Sequence, residues 1–529
     1  VPTLNWIGKE AVVNHHRQVP FRLLRDVPAL SCGDPGSGNL ILQGDNLLAL
    51  KALLPYYAGQ VKCIYIDPPY NTGNEEWIYS DNVNHPVIRE WLGKVVGKEG
   101  ETLDRHDRWL CMLYPRLALL KEFLREDGII LVSIGDDEFP SLLHILREIF
   151  GIQNESGIFV WKSRAKPANI GSAKFKPQKV AEYVLGFARN ASAIKYLPIN
   201  SGETRNYPHS DKDGRYRLQT ILMSNRGDRV RETMRFEIAG FTPSVQQRWK
   251  GGREFVQTLF DSNRIEFRNR IPFRKHYKHE EAAEHQPFYT FVPPEVSGTA
   301  ETGKAELNKI LGNMHGFDTV KPTGLLSWLF RAVTREGDII LDSFAGSGST
   351  AHAVLALNKS DGGNRRFIAV ELDEKIARPI TAERVRRVSE GYDDSNGEKI
   401  AGMGSGFRYC ELGDTLFDET GKIRETVTFS DLARHVYFTE TGESLPKKQV
   451  TKSPYLGEYR GTGIYLLYNG ILGDKSANGG NILTRQVLAA LPPFAGQKVI
   501  YCTGCLIGKE RLEVENIIVR QTPYEIKIS

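Results

Sequence analysis

The 529-residue chain has only six cysteines (Cys32, Cys63, Cys111, Cys410, Cys502 and Cys505), and only the last two form a Cys-x-x-Cys pair. A structural zinc site normally needs four ligands, and no second pair lies near this one. The pair also lacks the strand-to-helix setting of a thioredoxin-like motif, so it reads as two thiols in a turn. No apolar stretch reaches the length of a membrane span and no signal peptide opens the chain, so the expected setting is cytoplasmic and reduced, with no membrane partner. Repeats and low-complexity tracts are absent, and neither sign of charge dominates, with 69 Lys and Arg against 64 Asp and Glu. A net charge of +5 permits a polyanionic partner without requiring one. What is present is ordinary globular composition, 40% hydrophobic and 10% aromatic, at a length that suits two to four domains.

The apolar pattern tightens after the Gly- and Pro-rich segment from Ser31 to Gly38. Leu40 to Leu42 is a short run ending in Gly44-Asp45-Asn46, followed by a helical pattern through Leu47, Leu50, Leu53 and Leu54. Val61 to Ile66 is a second run, halted by Asp67-Pro68-Pro69-Tyr70, because prolines lack the N–H a central strand needs. A helix is predicted from about Trp109 to Arg125 and a strand from Ile129 to Ile134, with Asp136 and Asp137 placed to cap the next helix. Phe159–Trp161 and Tyr183–Phe187 read as further strands. Near-continuous apolar strands alternating with helices predict an α/β fold with a mainly parallel sheet covered on both faces.

From about 200 to 315 that rhythm stops, and the segment is polar and basic with no long helical period. It resumes at Lys321-Pro322 with a helix through Leu325, Leu326, Leu329 and Phe330. A strand from Asp338 to Leu341, a glycine loop, a helix through Leu357 and a strand from Phe367 to Val370 follow. The predicted division is an N-terminal extension (1–37), a first half-domain (38–199), an insert (200–315), a second half-domain (316–410) and a small C-terminal α+β module (411–529).

Two loops carry the chemistry, and both follow apolar strands, where open parallel sheets bind ligands. In Phe344-Ala345-Gly346-Ser347-Gly348-Ser349-Thr350 the glycines permit close backbone approach, and N–H groups opening a helix can hold an anionic group. No Lys follows the last glycine, so this is not a P-loop. Glu371, about twenty residues on, ends the next strand, where an acid accepts from ribose hydroxyls. Loop plus acid points to an adenosine-containing cofactor, with NAD and S-adenosylmethionine both open. Asp67-Pro68-Pro69-Tyr70 decides between them. A carboxylate at Asp67 and a rigid carbonyl at Pro68 can accept both hydrogens of an exocyclic amine and turn its nitrogen toward an electrophilic methyl group. Pro69 helps to fix that carbonyl, and Tyr70 offers a face on which an extruded base can stack. A sulfonium methyl needs no metal, consistent with the lack of a His/Cys ligand cluster. No His, Lys or Tyr constellation for a nicotinamide-dependent dehydrogenase accompanies the loop.

In this order the motifs resemble amino-group DNA methyltransferases of the type in which Asp-Pro-Pro-Tyr precedes Phe-x-Gly-x-Gly. The longer string Asp67 to Gly73 with Asn74 and Glu75 is similar to the modification subunits of type III restriction–modification systems. Agreement extends over roughly residues 38–410, through Gly44 to Asn46, Trp109 with Arg116, Gly128 to Ile134, Lys321-Pro322 and Phe367 to Asp373, and less distinctively in Gln521 to Lys527. The resemblance implies a Rossmann-like S-adenosylmethionine-dependent fold with circularly permuted motif order. It implies that Asp67, Pro68 and Tyr70 hold the target base, Phe344 to Thr350 the methionine end of the cofactor, Glu371 its ribose and Asp45 its adenine. Lys321 would lie near the methionine part. It further implies N6 of a flipped adenine in duplex DNA as the target, a homodimer, a possible helicase–nuclease restriction subunit, and residence on the nucleoid of a bacterium or archaeon. Transfer to N4 of cytosine, a solitary adenine methyltransferase and a silent DNA-binding subunit are the alternatives.

Within the insert, Arg248, Lys250, Arg253, Arg264, Arg268, Arg270, Arg274 and Lys275 interleave with aromatics such as Trp249, Phe267 and Phe273. Such a surface neutralises phosphates and stacks on bases, so the insert is predicted to be a target recognition domain.

Overall fold

The computed structural model describes residues 3–72, 90, 94, 105–167, 171–200, 206–226, 230–280, 285–394, 397–446, 453–473, 480–523, 525 and 526. Gly73, Asn74 and Glu75 of the first motif string, and Tyr524 and Lys527 of the last, lie outside the described residues.

The apolar runs become strands of one large sheet: β1 (Arg22–Asp26), β2 (Leu40–Gln43), β3 (Val61–Ile66), β4 (Leu124–Ile134), β5 (Glu155–Lys162), β6 (Ala181–Ala188), β7 (Phe291–Val292), β8 (Ile339–Asp342), β9 (Arg366–Glu371) and β10 (Arg408–Thr415). Their order is β1-β10-β2-β9-β8-β3-β4-β6-β5-β7. From β10 across to β4 all neighbours are parallel, whereas β1 and β6 run against theirs. The fold is the mainly parallel, Rossmann-like α/β sheet that the sequence predicts.

The helices that bear on the site are α1 (Asn46–Tyr57), α2 (Arg105–Phe123), α3 (Phe139–Phe150), α4 (Ala300–Leu311), α5 (Thr323–Val333), α6 (Ser349–Asp361) and α7 (Glu383–Glu390). Every residue of β3 and β8 is buried, as expected of strands covered on both faces. Alternate residues serve opposite layers. Leu40, Leu42, Ile64, Ile66, Ile130, Val132 and Leu341 share a core with Leu50, Trp109, Leu117 and Leu142 of α1, α2 and α3. On the other face Tyr65 meets Phe330 edge-on at 6.0 Å and Phe159 meets Trp328 at 6.3 Å, both partners on α5.

Contacts divide the chain into two units. One comprises 1–197 with 289–529, the other Pro198–Phe288. The second unit holds an antiparallel sheet in the order Ile265–Arg268, Ile271–Tyr277, Gly214–Thr220, His209–Asp211, a helix Arg253–Asp261, and a core around Phe236, Ile238, Trp249 and Val256.

Several predicted boundaries are corrected. The insert ends at Phe288 rather than 315, because β7 extends the large sheet beside β5, and α4 belongs to the larger unit. In sequence α4 is masked by its narrow apolar stripe of Leu307 and Ile310, although a Thr299–Thr302 capping box starts it. Residues 1–37 are not a detached extension, since β1 is an edge strand paired with β10. The 410/411 boundary falls inside β10. Beyond it, Phe429–Thr441 packs with Phe21 and the strands Thr462–Leu466 and Gln497–Cys502 in a further core. Among the described residues no helix is long and apolar enough to cross a membrane.

Candidate active site

β3 and β8 are direct neighbours, with Leu341 opposite Ile64, so the Asp67 turn and the glycine loop leave the same edge of the sheet side by side. β8 also pairs with β9, whose end sets Glu371 beside Gln43 of β2. The two loops that sequence reasoning singled out therefore share one locality, the carboxyl ends of adjacent parallel strands.

Lys321 joins them. Its Nζ lies 2.9 Å from Asp67 Oδ2, while its backbone carbonyl accepts from Ser349 Oγ at 2.7 Å. Burial raises the Asp67 carboxyl above its usual range, and Lys321 pulls it back down. Burial likewise works against the ammonium, but Asp67 and Glu182 outweigh it and hold Lys321 above its ordinary value. Asp67 Oδ1 is buried and has no hydrogen-bond partner among the described residues. A buried acceptor left bare is costly, and a donor from a bound molecule would satisfy it.

The tetrapeptide is braced from several sides. Trp109 Nε1 donates to Pro69 O at 2.6 Å, and Tyr70 OH donates to Glu182 Oε2 at 2.9 Å. Gly135 leaves room for the Tyr70 ring, since a Cβ there would stand 3.1 Å from Tyr70 Cδ2. Asn71, at φ +56°, donates to the fully buried Glu138, which also meets His106 Nδ1 at 2.6 Å. Glu138 is the residue before α3 and makes no cap bond, whereas Asp136 and Asp137 face Lys179. The expected capping by those two aspartates is thus replaced by a salt bridge.

The glycine loop is held by groups that carry no obvious motif. Asp342 Oδ1 accepts from Phe344 N at 2.9 Å and Oδ2 from Thr350 Oγ1 at 2.6 Å, and burial pushes its carboxyl up to about 7. Glu371 Oε2 accepts from Gly346 N at 2.8 Å and Thr381 Oγ1 donates to Gly346 O at 2.6 Å. Arg384, fully buried on α7, donates to Ser347 Oγ at 3.1 Å and Ser349 Oγ at 2.9 Å. Gly348 sits at φ +77° before α6, a conformation open chiefly to glycine. Ala345 is buried against this framework.

Asp45 has a structural duty. Oδ1 caps α1 through Leu47 N and Leu48 N at 3.0 and 3.1 Å, and Oδ2 takes Arg116 Nη2 at 2.8 Å. Arg116 is itself buried and bonds Asn46, whose Nδ2 reaches Ser343 O at 3.1 Å. Glu182, Arg384, Thr381, Asp342 and Glu138 are the site residues that sequence reasoning passes over. Glu138 alone had a local signal, an acid next to two aspartates at a helix start.

In the second unit the predicted cations separate into three sets. Lys250, Arg253, Arg268 and Arg270 are exposed. Arg248 and Lys275 are buried, the latter 2.8 Å from Asp211, which withdraws them from any phosphate-contacting face. Arg264 pairs with Glu280 and lies over the Tyr277 ring at 4.5 Å, and Arg274 lies over Phe255 at 5.5 Å. Among the described residues no group of three or more His, Cys, Asp or Glu is placed to hold a metal.

Residues 61–383 match the family described as DNA methylase. The chain is 31% identical over 370 residues to the type III restriction-modification enzyme StyLTI Mod subunit of Salmonella typhimurium, covering 66% of this chain but 54% of that protein. It is 30% identical over 453 residues to the EcoP15I Mod subunit of Escherichia coli, covering 74% of this chain and 67% of that one. The chain thus spans about half of the first relative's length and two thirds of the second's. A solved structure, the M1.HpyAVI–SAM complex, aligns with 65% of this chain and 98% of its own at 13% identity and a TM-score of 0.32. The matched span begins at β3, runs through the Asp67 turn and the glycine loop, and ends at the head of α7: the chain belongs to the DNA methylase family.

Proposed function

We propose that the protein transfers a methyl group from S-adenosylmethionine to N6 of an adenine flipped out of duplex DNA, as a modification enzyme of the type III kind. The observation that carries this is the Lys321 bridge, which ties a carboxylate with one bare, buried oxygen to a helix-opening glycine loop. The loop residues Phe344 to Thr350 would hold the methionine end of the cofactor and Glu371 its ribose, with Asp45 bordering the adenine. The cofactor supplies an electrophilic methyl carbon.

The protein's part is positioning. Asp67 Oδ1 accepts one amine hydrogen and the Pro68 carbonyl the other, and Pro68 and Pro69 restrict where that carbonyl can point. Tyr70, its hydroxyl pinned by Glu182, presents a fixed ring face to the base. Held by both hydrogens, the nitrogen turns its lone pair toward the methyl carbon. Lys321 pulls the Asp67 carboxyl down against the upward push of burial, which favours the form in which both carboxylate oxygens are acceptors. Lys250, Arg253, Arg268 and Arg270 would meet DNA phosphates. A homodimer and a helicase–nuclease restriction subunit are the partners proposed alongside this reading.

The test is nucleoside mass analysis of duplex DNA incubated with the protein and methyl-labelled S-adenosylmethionine. Label in N6-methyladenosine is expected. Label in N4-methylcytosine would move the target to the other exocyclic amine, and no label in DNA would remove the proposal.

A further inference from the structure

The charges around Lys321 do not balance. One ammonium faces two carboxylates, Asp67 at 2.9 Å and Glu182 at 3.5 Å. It also lies over two aromatic faces, Tyr70 at 4.8 Å and Trp161 at 5.9 Å. Glu182 on β6 is the register partner of Trp161 on β5, so sheet pairing sets both at this place. The acids are each about a quarter exposed, and among the described residues no Lys or Arg besides Lys321 bonds either of them. Two carboxylates and two ring faces around a single cation make a locality that favours a second positive charge.

Resting on the methyl-transfer reading, we propose that Glu182 sets the site's preference for the positively charged methyl donor over its neutral thioether product. The donor's reactive carbon has to reach an amine held at Asp67, and one ammonium touches both Asp67 and Glu182. The donor's sulfonium charge therefore falls within Coulomb range of Glu182. When the methyl group leaves, the sulfur becomes neutral and the attraction is lost, which favours release of the spent cofactor. The other task of Glu182, accepting from the Tyr70 hydroxyl, needs only an oxygen and not a charge. Glu182→Gln separates the two tasks.

The experiment is calorimetric titration without DNA, with S-adenosylmethionine and S-adenosylhomocysteine as probes of the full chain and its variants. In Glu182→Gln the preference for the sulfonium form should fall by about tenfold or more, chiefly through weaker donor binding, as expected for one charge removed at an effective dielectric of about 20. In Tyr70→Phe, which keeps the carboxylate and loses only the hydroxyl, the preference should be retained. A second measurement needs no variant. The analogue with an amine-bearing carbon in place of the sulfonium should bind the wild-type protein more tightly than S-adenosylhomocysteine. Equal losses for both cofactors in Glu182→Gln, the same fall in Tyr70→Phe, or no preference for the amine analogue would each overturn the proposal. If neither cofactor bound the wild type, the methyl-transfer reading itself would fail, a result distinct from binding without discrimination.

Discussion

Asp342→Asn perturbs one buried acid and leaves its shape in place. Asp342 closes β8, is 3% exposed, and receives hydrogen bonds from Phe344 N and Thr350 Oγ1, one on each side of the two loop glycines. Burial moves its carboxyl from 3.8 to about 7. The folded protein therefore holds this proton more tightly than the unfolded chain does. Stability from this group is fully present below pH 3.8 and is lost as pH rises through about 7. Three units at 1.36 kcal/mol each amount to about 4 kcal/mol, of which about 3 kcal/mol falls between pH 5 and 8. Asn cannot ionise, yet its oxygen still accepts from Phe344 N and its amide still reaches Thr350. Urea midpoints of wild type and Asp342→Asn, compared at each pH, cancel the titration of groups that Asp342 does not influence, leaving Asp342 and its coupling to Asp67 and Glu371. The variant should gain on the wild type steadily from pH 5 to 8. A constant difference across that range would refute the claim that burial raises this acid to about 7.

Arg384→Met should weaken S-adenosylmethionine binding about tenfold in calorimetry. It removes charge-assisted bonds to Ser347 and Ser349, each worth roughly 1.5–3 kcal/mol before the relief of burying a guanidinium is counted. Unchanged affinity would mean that the loop holds its shape without the arginine. Lys321→Met removes the group that pulls the Asp67 carboxyl down against burial, so Asp67 should protonate at higher pH than in the wild type. The acid limb of kcat/KM for methyl transfer should move upward, with the alkaline rate better preserved than the acid one. A uniform loss at all pH values would show that Lys321 acts by position and not by charge.

The parts of this fold legible in the sequence are those written in local runs. β3, apolar but for Lys62, and β8 are short runs ended by abrupt breaks, and the two breaks leave the same edge of the sheet side by side. Because the parallel sheet brings strand ends together, two motifs far apart in sequence could be expected to meet, and the Lys321 bridge joins them. What was not legible depends on pairing over long distances. Glu182 looks like one polar residue in an otherwise apolar strand. Only the β5–β6 register and the reach of Lys321 across from the start of α5 give it a place beside Tyr70. Arg384 lies in a helix rich in charge, and nothing local distinguishes the arginine that is buried against Ser347 from Arg386 and Arg387, which pair with Glu383. The basic insert shows the opposite failure. Its cations were legible as a run, but strand alternation sends Lys275 inward to Asp211.

The most direct measurement is methyl transfer by Asp67→Ala set beside its cofactor affinity. Lys321 keeps Glu182 as a partner in that variant and the glycine loop retains its own braces, so S-adenosylmethionine should still bind, weaker by roughly the tenfold that one carboxylate lost near the sulfonium costs. Transfer to DNA should fall by roughly 10²- to 10⁴-fold, because the amine loses the acceptor that orients it. Transfer at the wild-type rate with normal cofactor binding would show that Asp67 does not hold the target amine.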